Sequence, residues 1–303
     1  MKKLLPVICC FLFLHGIAQS SASPWFQSYE FKLAEFRKPS LRFGPMARWW
    51  WPGNLVTKEE LKREVNVFAD NGFAGVEVQP LNLAIPTANE EERKKVTGWD
   101  SPDYYDNLRA VMEEARRRGL IVDVTNGSGW PPSAPNLTPE DGFLSLEFSD
   151  TTVSGGQALS LTLPPLASSK NKTGIPPQLQ AVVVAKVLNK ATGNETSMLD
   201  ATSSKVVNSL VKNGQLTYAF PEGTWQVIAF WSVPSGGVAM VAAYSKGMPV
   251  VNHFDSAKVL KLYNYLFGER TGLQPYFGNP MRAVFSDSYE FSVNRHYSPD
   301  FLS

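Results

Sequence analysis

Short apolar strands alternate with amphipathic helices along the first half of the chain, and this order restricts the fold more than any other feature. Strands and helices follow one another over residues 47–53, 57–71, 73–80, 101–119 and 120–132, the last of these ending in a glycine- and proline-rich loop. Thr57 and Ser101 stand where helix N-caps are expected, and Asn71-Gly72 and Gly119 are typical helix ends. The order strand, helix, strand, helix, strand predicts parallel βαβ units.

The pattern changes between about Phe143 and Val251. Apolar and polar residues there alternate with a period of two, in segments such as "LSLTL" and "TWQVIAFWSV", and turns rich in Gly, Ser and Pro separate them. Helical periodicity returns after Asp255, and a fourth apolar strand covers 281–290. We therefore predict an antiparallel β-sandwich inserted between the third and fourth strands of the α/β unit.

Four parallel strands with three helices could form part of a barrel or one wing of a doubly wound sheet. No GxGxxG follows the first strand and no GxxxxGK[ST] occurs, which disfavours dinucleotide-binding and P-loop folds. We predict an α/β fold, a partial (β/α)8 TIM-type barrel of about four strands and three helices with the inserted sandwich. The predicted boundaries are 1–22 for a signal peptide, 23–142 and 252–303 for the barrel, truncated after strand four, and 143–251 for the insert.

Residues 1–22 have the parts of a secretory signal. Lys2 and Lys3 precede a short apolar stretch, and small residues follow at the plausible cleavage points Ala18 and Ala22. The apolar stretch is too short to span a bilayer, and both cysteines of the chain fall within it. We therefore expect an exported protein, periplasmic or extracellular, without an integral membrane span or a disulfide after cleavage.

The composition indicates the class of partner. The formal net charge is +1 and no long run of one sign occurs, which argues against nucleic acid or an anionic membrane. Aromatic residues make up 12% of the chain, which suits an oligosaccharide or polysaccharide because sugar C–H faces stack on aromatic rings. The same aromatic content also suits an ordinary well-packed core.

Residues able to carry chemistry stand at the carboxyl ends of the predicted strands, which is where barrel enzymes hold their active sites. They are Arg48, Trp50, Trp51, Glu77, Gln79, Asp123, Asn126, Trp130, Asp287 and Glu290. Carboxylates at several strand ends suit glycoside hydrolysis, which needs one acid and one base or nucleophile. The tryptophans could stack on a sugar ring, and the arginine and asparagine could bind its hydroxyls.

Structural roles are open for the same residues. Clustered tryptophans usually pack in a core, and Glu77 and Asp123 could be ordinary strand-end carboxylates. Other chemistries have little support, because His253 and His296 lack the spacing of a zinc site and no GxSxG occurs. Oxygen-rich calcium coordination needs only carboxylates and carbonyls, but no EF-hand-like loop marks it.

Three stretches resemble glycoside hydrolase family 106, the α-L-rhamnosidases. They are "RWWWPGNLVTKEELKREVNVFADNGFAGVEVQP", "GLIVDVTNGSGWPPSAPNLTPEDG" and "FSDSYEF". The resemblance includes the order of elements and the β-rich interruption. It implies a (β/α)8 catalytic barrel with β-sandwich additions, a bound calcium, and an inverting two-carboxylate mechanism on terminal rhamnose of plant or microbial glycans.

The resemblance also implies roles for individual residues. Glu290 corresponds to the general acid, with Asp287 beside it as an orienting group or sugar ligand. The residues matched to the pocket lining are Trp50, Trp51, Glu77, Asn126 and Trp130. The family's loop has Gly-Gly after "GWP", where this chain has "PPSAP". Family members are several times longer, so we expect an N-terminal portion that is inactive alone.

Two other interpretations follow from the same residues. A non-catalytic exported glycan-binding protein would use the insert and the tryptophans to capture polysaccharide, and its carboxylates would only form hydrogen bonds. Alternatively, the chain folds beside a second chain that completes the barrel.

Overall fold

The computed structural model describes residues 30–40, 43–189, 197–290, 293 and 295–299. The chain divides into two compact units, residues 1–40 and 41–303. The described part of the first unit holds one short helix, α1 (Leu33–Arg37). The predicted signal peptide lies outside the described residues. Within the described part of the chain, no helix is both long enough and apolar enough to cross a membrane.

The second unit contains the remaining helices and all the strands of the described residues. The helices are α2 (Lys58–Asp70), α3 (Glu90–Val96), α4 (Pro102–Arg118) and α5 (Ser256–Phe267). The first strands are β1 (Met46–Pro52), β2 (Gly75–Leu81), β3 (Ile121–Thr125), β4 (Leu144–Ser154), β5 (Gln157–Thr162), β6 (Gln178–Asn189) and β7 (Met198–Leu199). The others are β8 (Lys205–Val206), β9 (Val211–Lys212), β10 (Gln215–Phe220), β11 (Thr224–Pro234), β12 (Met281–Phe285) and β13 (His296–Tyr297).

Four strands form a parallel sheet in the order β1-β2-β3-β12. Alternate side chains of a strand point to opposite faces, so each face of this sheet has its own set of residues. One face packs against the helices. The buried residues of that core include Trp49, Trp51, Val76, Val78, Val122 and Val124 from the strands and Leu61, Val65, Leu108, Val111, Met112, Leu262 and Leu266 from the helices.

Local signals explain where the main helices begin and end. Thr57 Oγ1 accepts a hydrogen bond from the Glu60 N–H at 3.3 Å, and Ser101 Oγ accepts one from the Tyr104 N–H at 3.2 Å. Asp255 Oδ1 caps α5 in the same way, and Gly119 ends α4 with a φ of 72°. These caps confirm the predicted starts of the helices.

The antiparallel strands form two sheets around a second core. One sheet has the order β5-β10-β9 and the other β13-β4-β11-β6-β7, with β8 also paired to β6. The second core includes Leu163, Val182, Val184, Leu216, Phe220, Trp225, Val227 and Ala229. The structure therefore confirms a mixed α/β chain in which antiparallel sheets interrupt a parallel one.

Between the insert and α5, the chain forms a segment that folds back and pairs with itself. Ala239 N–H donates to the Met248 carbonyl at 2.9 Å, and Val250 N–H donates to the Gly237 carbonyl at 3.0 Å. We call residues 237–250 the strap. Its residues Ala243 and Met248 are buried in the first core, so the strap packs with the α/β elements.

Candidate active site

Four charged side chains form a row across the face of the parallel sheet that is opposite the helices. Arg48 pairs in register with Glu77, and Glu77 with Asp123. Arg48 Nε lies 3.1 Å from Glu77 Oε1, and Arg282 Nε donates to Asp123 Oδ1 at 3.2 Å. The row therefore runs cation, carboxylate, carboxylate, cation, so that each carboxylate has an arginine beside it.

Arg48 also connects this row with the loop after β12. Its Nη1 lies 3.4 Å from Asp287 Oδ2, and its guanidinium carbon lies 4.6 Å from the centre of the Phe285 ring. A single arginine thus brings together Glu77 of β2 and Asp287 of the predicted "SDSYEF" site. The positive charge of one guanidinium therefore faces both carboxylates and offsets their mutual repulsion.

The surroundings of Glu77 shift the pKa of its carboxyl group. Its side chain is 15% exposed, and Oε1 forms the ion pair with Arg48 without the geometry of a hydrogen bond. Burial raises the pKa of Glu77 above its ordinary value; Arg48 opposes this shift, and the charges of Asp123 and Asp287 add to it. A carboxyl that keeps its proton to higher pH is suited to donate it to a leaving group.

Glu290 lies in the same loop but in a different environment. It is exposed, and its Oε1 accepts a hydrogen bond from Ser288 Oγ at 2.8 Å. The Ser288 N–H donates to Asp287 Oδ1, also at 2.8 Å. The backbone of Glu290 has a φ of 45°, in the left-handed region that non-glycine residues seldom adopt. Such strain often occurs at functional sites, and here it affects the residue predicted as the general acid.

The consecutive tryptophans of β1 point to both faces of the sheet. Trp50 shares the face of Arg48 and is 52% exposed, so its ring is free to stack on a ligand. Trp51 is 1% exposed and packs edge-on against Trp49 and Tyr104, at centroid distances of 5.4 and 5.9 Å. The structure therefore separates Trp51 from the other predicted site residues, because neighbours in a strand alternate between faces.

Two predicted amide side chains are buried near the strand ends. Gln79 is fully buried, and among the described residues neither of its side-chain polar atoms has a hydrogen-bond partner. Asn126 donates from Nδ2 to the Tyr263 hydroxyl at 3.4 Å, and its backbone N–H donates to the Phe285 carbonyl. Asn126 therefore links β3 to β12 and α5, whereas Gln79 keeps donors and acceptors that a ligand or water could use.

The loop that carries Trp130 is fixed from two sides. Ser128 Oγ donates to the Pro80 carbonyl and accepts from the Ala243 N–H, both at 2.8 Å. Trp130 forms an antiparallel bridge with Met240 of the strap. The sequence prediction missed the strap as part of this site. The alternation of apolar and polar residues stops at the glycines that follow Pro234, and this was the signal that the insert ends there.

The resemblance implies calcium, which stays a prediction for this chain because calcium also binds carbonyl and water oxygens. No group of three or more His, Asp or Glu side chains in the described ranges could hold a metal ion. Glu77 and Asp287 lie beside Arg48, and Asp123 lies beside Arg282, so arginine already supplies the positive charge at these carboxylates.

Comparison with known structures gives the likeness of the fold. The rhamnosidase from Novosphingobium sp. PP1Y superimposes with a TM-score of 0.60 at 15% sequence identity, over 89% of this chain and 41% of that one. The chain thus corresponds to less than half of the length of that enzyme. A glycoside hydrolase family 5 protein from Bacteroides vulgatus ATCC 8482 matches at 19% identity over 27% of this chain and 20% of the other, with a TM-score of only 0.19.

Comparison of sequences gives the family. No curated protein matches the chain. The family model described as alpha-L-rhamnosidase, glycoside hydrolase family 106, matches residues 37–195, which is just over half of the chain and includes β1, β2, β3 and the first strands of the insert. The chain belongs to glycoside hydrolase family 106, the α-L-rhamnosidase family.

Proposed function

We propose that the chain carries one side of the active site of a glycosidase that removes terminal α-L-rhamnose from plant or microbial glycans. The observation that carries this proposal is the convergence of Glu77, Asp287 and Arg48 on the open face of the sheet. Membership in the family supports the substrate class. The exposed Trp50 ring on the same face offers a stacking surface for the sugar.

The barrel is a proposal that the same contacts support. The strand order β1-β2-β3-β12 has no reversal, as expected when successive βα units wind in one direction. In a flat sheet β1 and β12 would lie about 14 Å apart, at about 4.8 Å for each strand spacing. Arg48 of β1 nevertheless contacts both Phe285 of β12 and the following Asp287. Such contacts support a sheet curled towards closure.

The proposed mechanism gives the carboxyl groups of Glu77 and Asp287 different roles. Glu77, with its raised pKa, is suited to protonate the departing glycosidic oxygen. Arg48 pairs with Asp287, whose carboxylate can bind a sugar hydroxyl or stabilise positive charge that develops at the anomeric carbon. Glu290, assigned as the acid by resemblance, is the competing proton donor. Inversion requires a second carboxylate about 6.5–9.5 Å from the acid.

Because the chain spans 41% of the rhamnosidase that it resembles, we propose that binding survives in this chain alone while turnover does not. The test titrates the folded chain with methyl α-L-rhamnoside, follows tryptophan fluorescence, and separately assays release of p-nitrophenol from its α-L-rhamnoside. We expect saturable binding that weakens at least tenfold in Trp50→Ala. Absence of saturable binding by the folded protein would exclude a rhamnosyl site, and p-nitrophenol release would show that the site is complete.

A further inference from the structure

The strap crosses the carboxyl ends of the strands and is fixed there at several points. The Asn82 N–H, just after β2, donates to the Val241 carbonyl at 2.8 Å. The Trp99 N–H, before α4, donates to the Ala243 carbonyl at 3.1 Å. Met240 and Trp130 exchange two backbone hydrogen bonds, at 2.7 and 3.2 Å. The strap is therefore a rigid part of this end of the sheet, although the chain reaches it from the insert.

Backbone strain occurs at the middle of the strap. Val241 has a φ of 48°, and a β-branched residue in the left-handed region is a conformational outlier. Its carbonyl nevertheless accepts the hydrogen bond from Asn82, so the surrounding contacts hold the strained backbone in place. Strain maintained in this way indicates a functional constraint on the position of neighbouring side chains.

Met240, immediately before the strained residue, presents an apolar side chain to solvent. It is 43% exposed although both its backbone hydrogen-bonding groups are paired with Trp130. Residues directly opposite in an antiparallel bridge have side chains on the same side, roughly 4.5–5.5 Å apart at their Cβ atoms. The bridge therefore places the Met240 thioether on the same side as the indole of Trp130, a residue matched to the pocket lining, so that the two residues can offer one apolar wall with the adaptable surface that methionine provides.

We propose that Met240 is a specificity-determining residue that contacts the methyl group of the rhamnosyl ring. The inference rests on the proposed function and adds to it the basis of substrate choice. L-rhamnose differs from L-mannose by a methyl group in place of a hydroxymethyl group. An apolar wall accepts the methyl group, but it offers no hydrogen bond to the extra hydroxyl, which would lose its water.

The test compares the affinities of the complete chain for methyl α-L-rhamnoside and methyl α-L-mannoside by fluorescence titration. In the native protein the rhamnoside should bind at least tenfold more tightly. Met240→Gln, nearly the same in shape but able to bond the hydroxyl, should reduce this preference at least fivefold, while Met240→Leu keeps it. Met198→Gln is the matched control, because Met198 is 61% exposed at the far edge of the insert.

The outcomes separate this inference from the proposed function. If the folded native chain binds neither glycoside, the proposed function fails and this inference fails with it. If the native chain binds the rhamnoside but Met240→Gln keeps the full preference, the rhamnosyl site stands and the role of Met240 is overturned. A similar loss of preference in Met198→Gln would also overturn it, because that residue lies outside the strap.

Discussion

Trp50 and Trp51 are adjacent in the sequence, and the structure predicts opposite consequences for their removal. Trp51 is buried between the parallel sheet and the helices, so Trp51→Ala should lower the free energy of unfolding by about 3–5 kcal/mol through lost burial and a cavity. Trp50 is 52% exposed, so Trp50→Ala should change stability by no more than about 0.5 kcal/mol. Binding of the rhamnoside should instead be weakened more by Trp50→Ala than by Trp51→Ala.

An additional variant tests the environment of the buried indole. Among the described residues, Trp51 Nε1 has no hydrogen-bond partner, and such an unmet donor costs about 1–3 kcal/mol. Trp51→Phe removes this donor while it keeps most of the ring, so its destabilisation should be less than half of that of Trp51→Ala. Trp50→Ala should therefore be the most stable of the three variants, Trp51→Phe should be intermediate, and Trp51→Ala should be the least stable.

Urea unfolding followed by far-ultraviolet circular dichroism measures these differences. With a slope of about 3 kcal/mol per molar urea, a loss of about 4 kcal/mol lowers the midpoint by more than about 1 M. Equal midpoints for Trp50→Ala and Trp51→Ala would refute the assignment of the two rings to opposite faces. A large shift for Trp50→Ala alone would show that the strand has the other phase and that Trp51 lines the open face.

Two further predictions concern the site. Because the folded-state pKa of Glu77 lies above its ordinary value of 4.5, the native state holds the extra proton above that pH, and stability falls as pH rises through this window. Glu77→Gln removes this pH dependence. In urea titrations, the free energy of unfolding of the variant minus that of the native protein should therefore be more favourable at pH 7 than at pH 4. The same value at both pH values would contradict the raised pKa. In Gly129→Ala the added Cβ would lie 2.1 Å from the Met240 carbonyl oxygen at a φ of 66°. The variant should lose more stability than left-handed strain alone costs, which is about 1–3 kcal/mol. Gly214→Ala measures that strain by itself, because Gly214 has a φ of 75° and open space around it. Equal losses of stability in the two variants would exclude the clash.

Periodicity and capping residues were enough to predict the main elements of the parallel sheet. Ser101 and Gly119 bound a helix through interactions within a few residues, which local sequence records directly. The short helix α3 was not predicted, because its seven residues are almost all charged and carry no apolar stripe. Its ends depend on Asn89, whose side chain caps the Glu92 N–H, and on the burial of Val96.

The site was less accessible to sequence reasoning because it depends on contacts between distant segments. The spacing of Glu77 and Asp287 contains no sign that Arg48 lies between them. The alternation of side chains could have separated Trp50 from Trp51 once the phase of β1 was known, but three consecutive tryptophans conceal that phase. The resemblance to family 106 was confirmed by the family model, whereas the roles of individual residues remain predictions.

The contacts of the insert bear on the alternative that the chain is a separable glycan-binding module. After the "SDSYEF" loop, β13 pairs with β4 of the insert, and the Tyr297 hydroxyl donates to Gln180 Oε1 at 2.8 Å. Before it, the strap pairs with the Trp130 loop. Both loops that carry candidate site residues are thus attached to chain segments that enter or leave the insert. An insert that only captured polysaccharide would need neither attachment. This arrangement therefore favours an insert that positions the loops of the α/β unit.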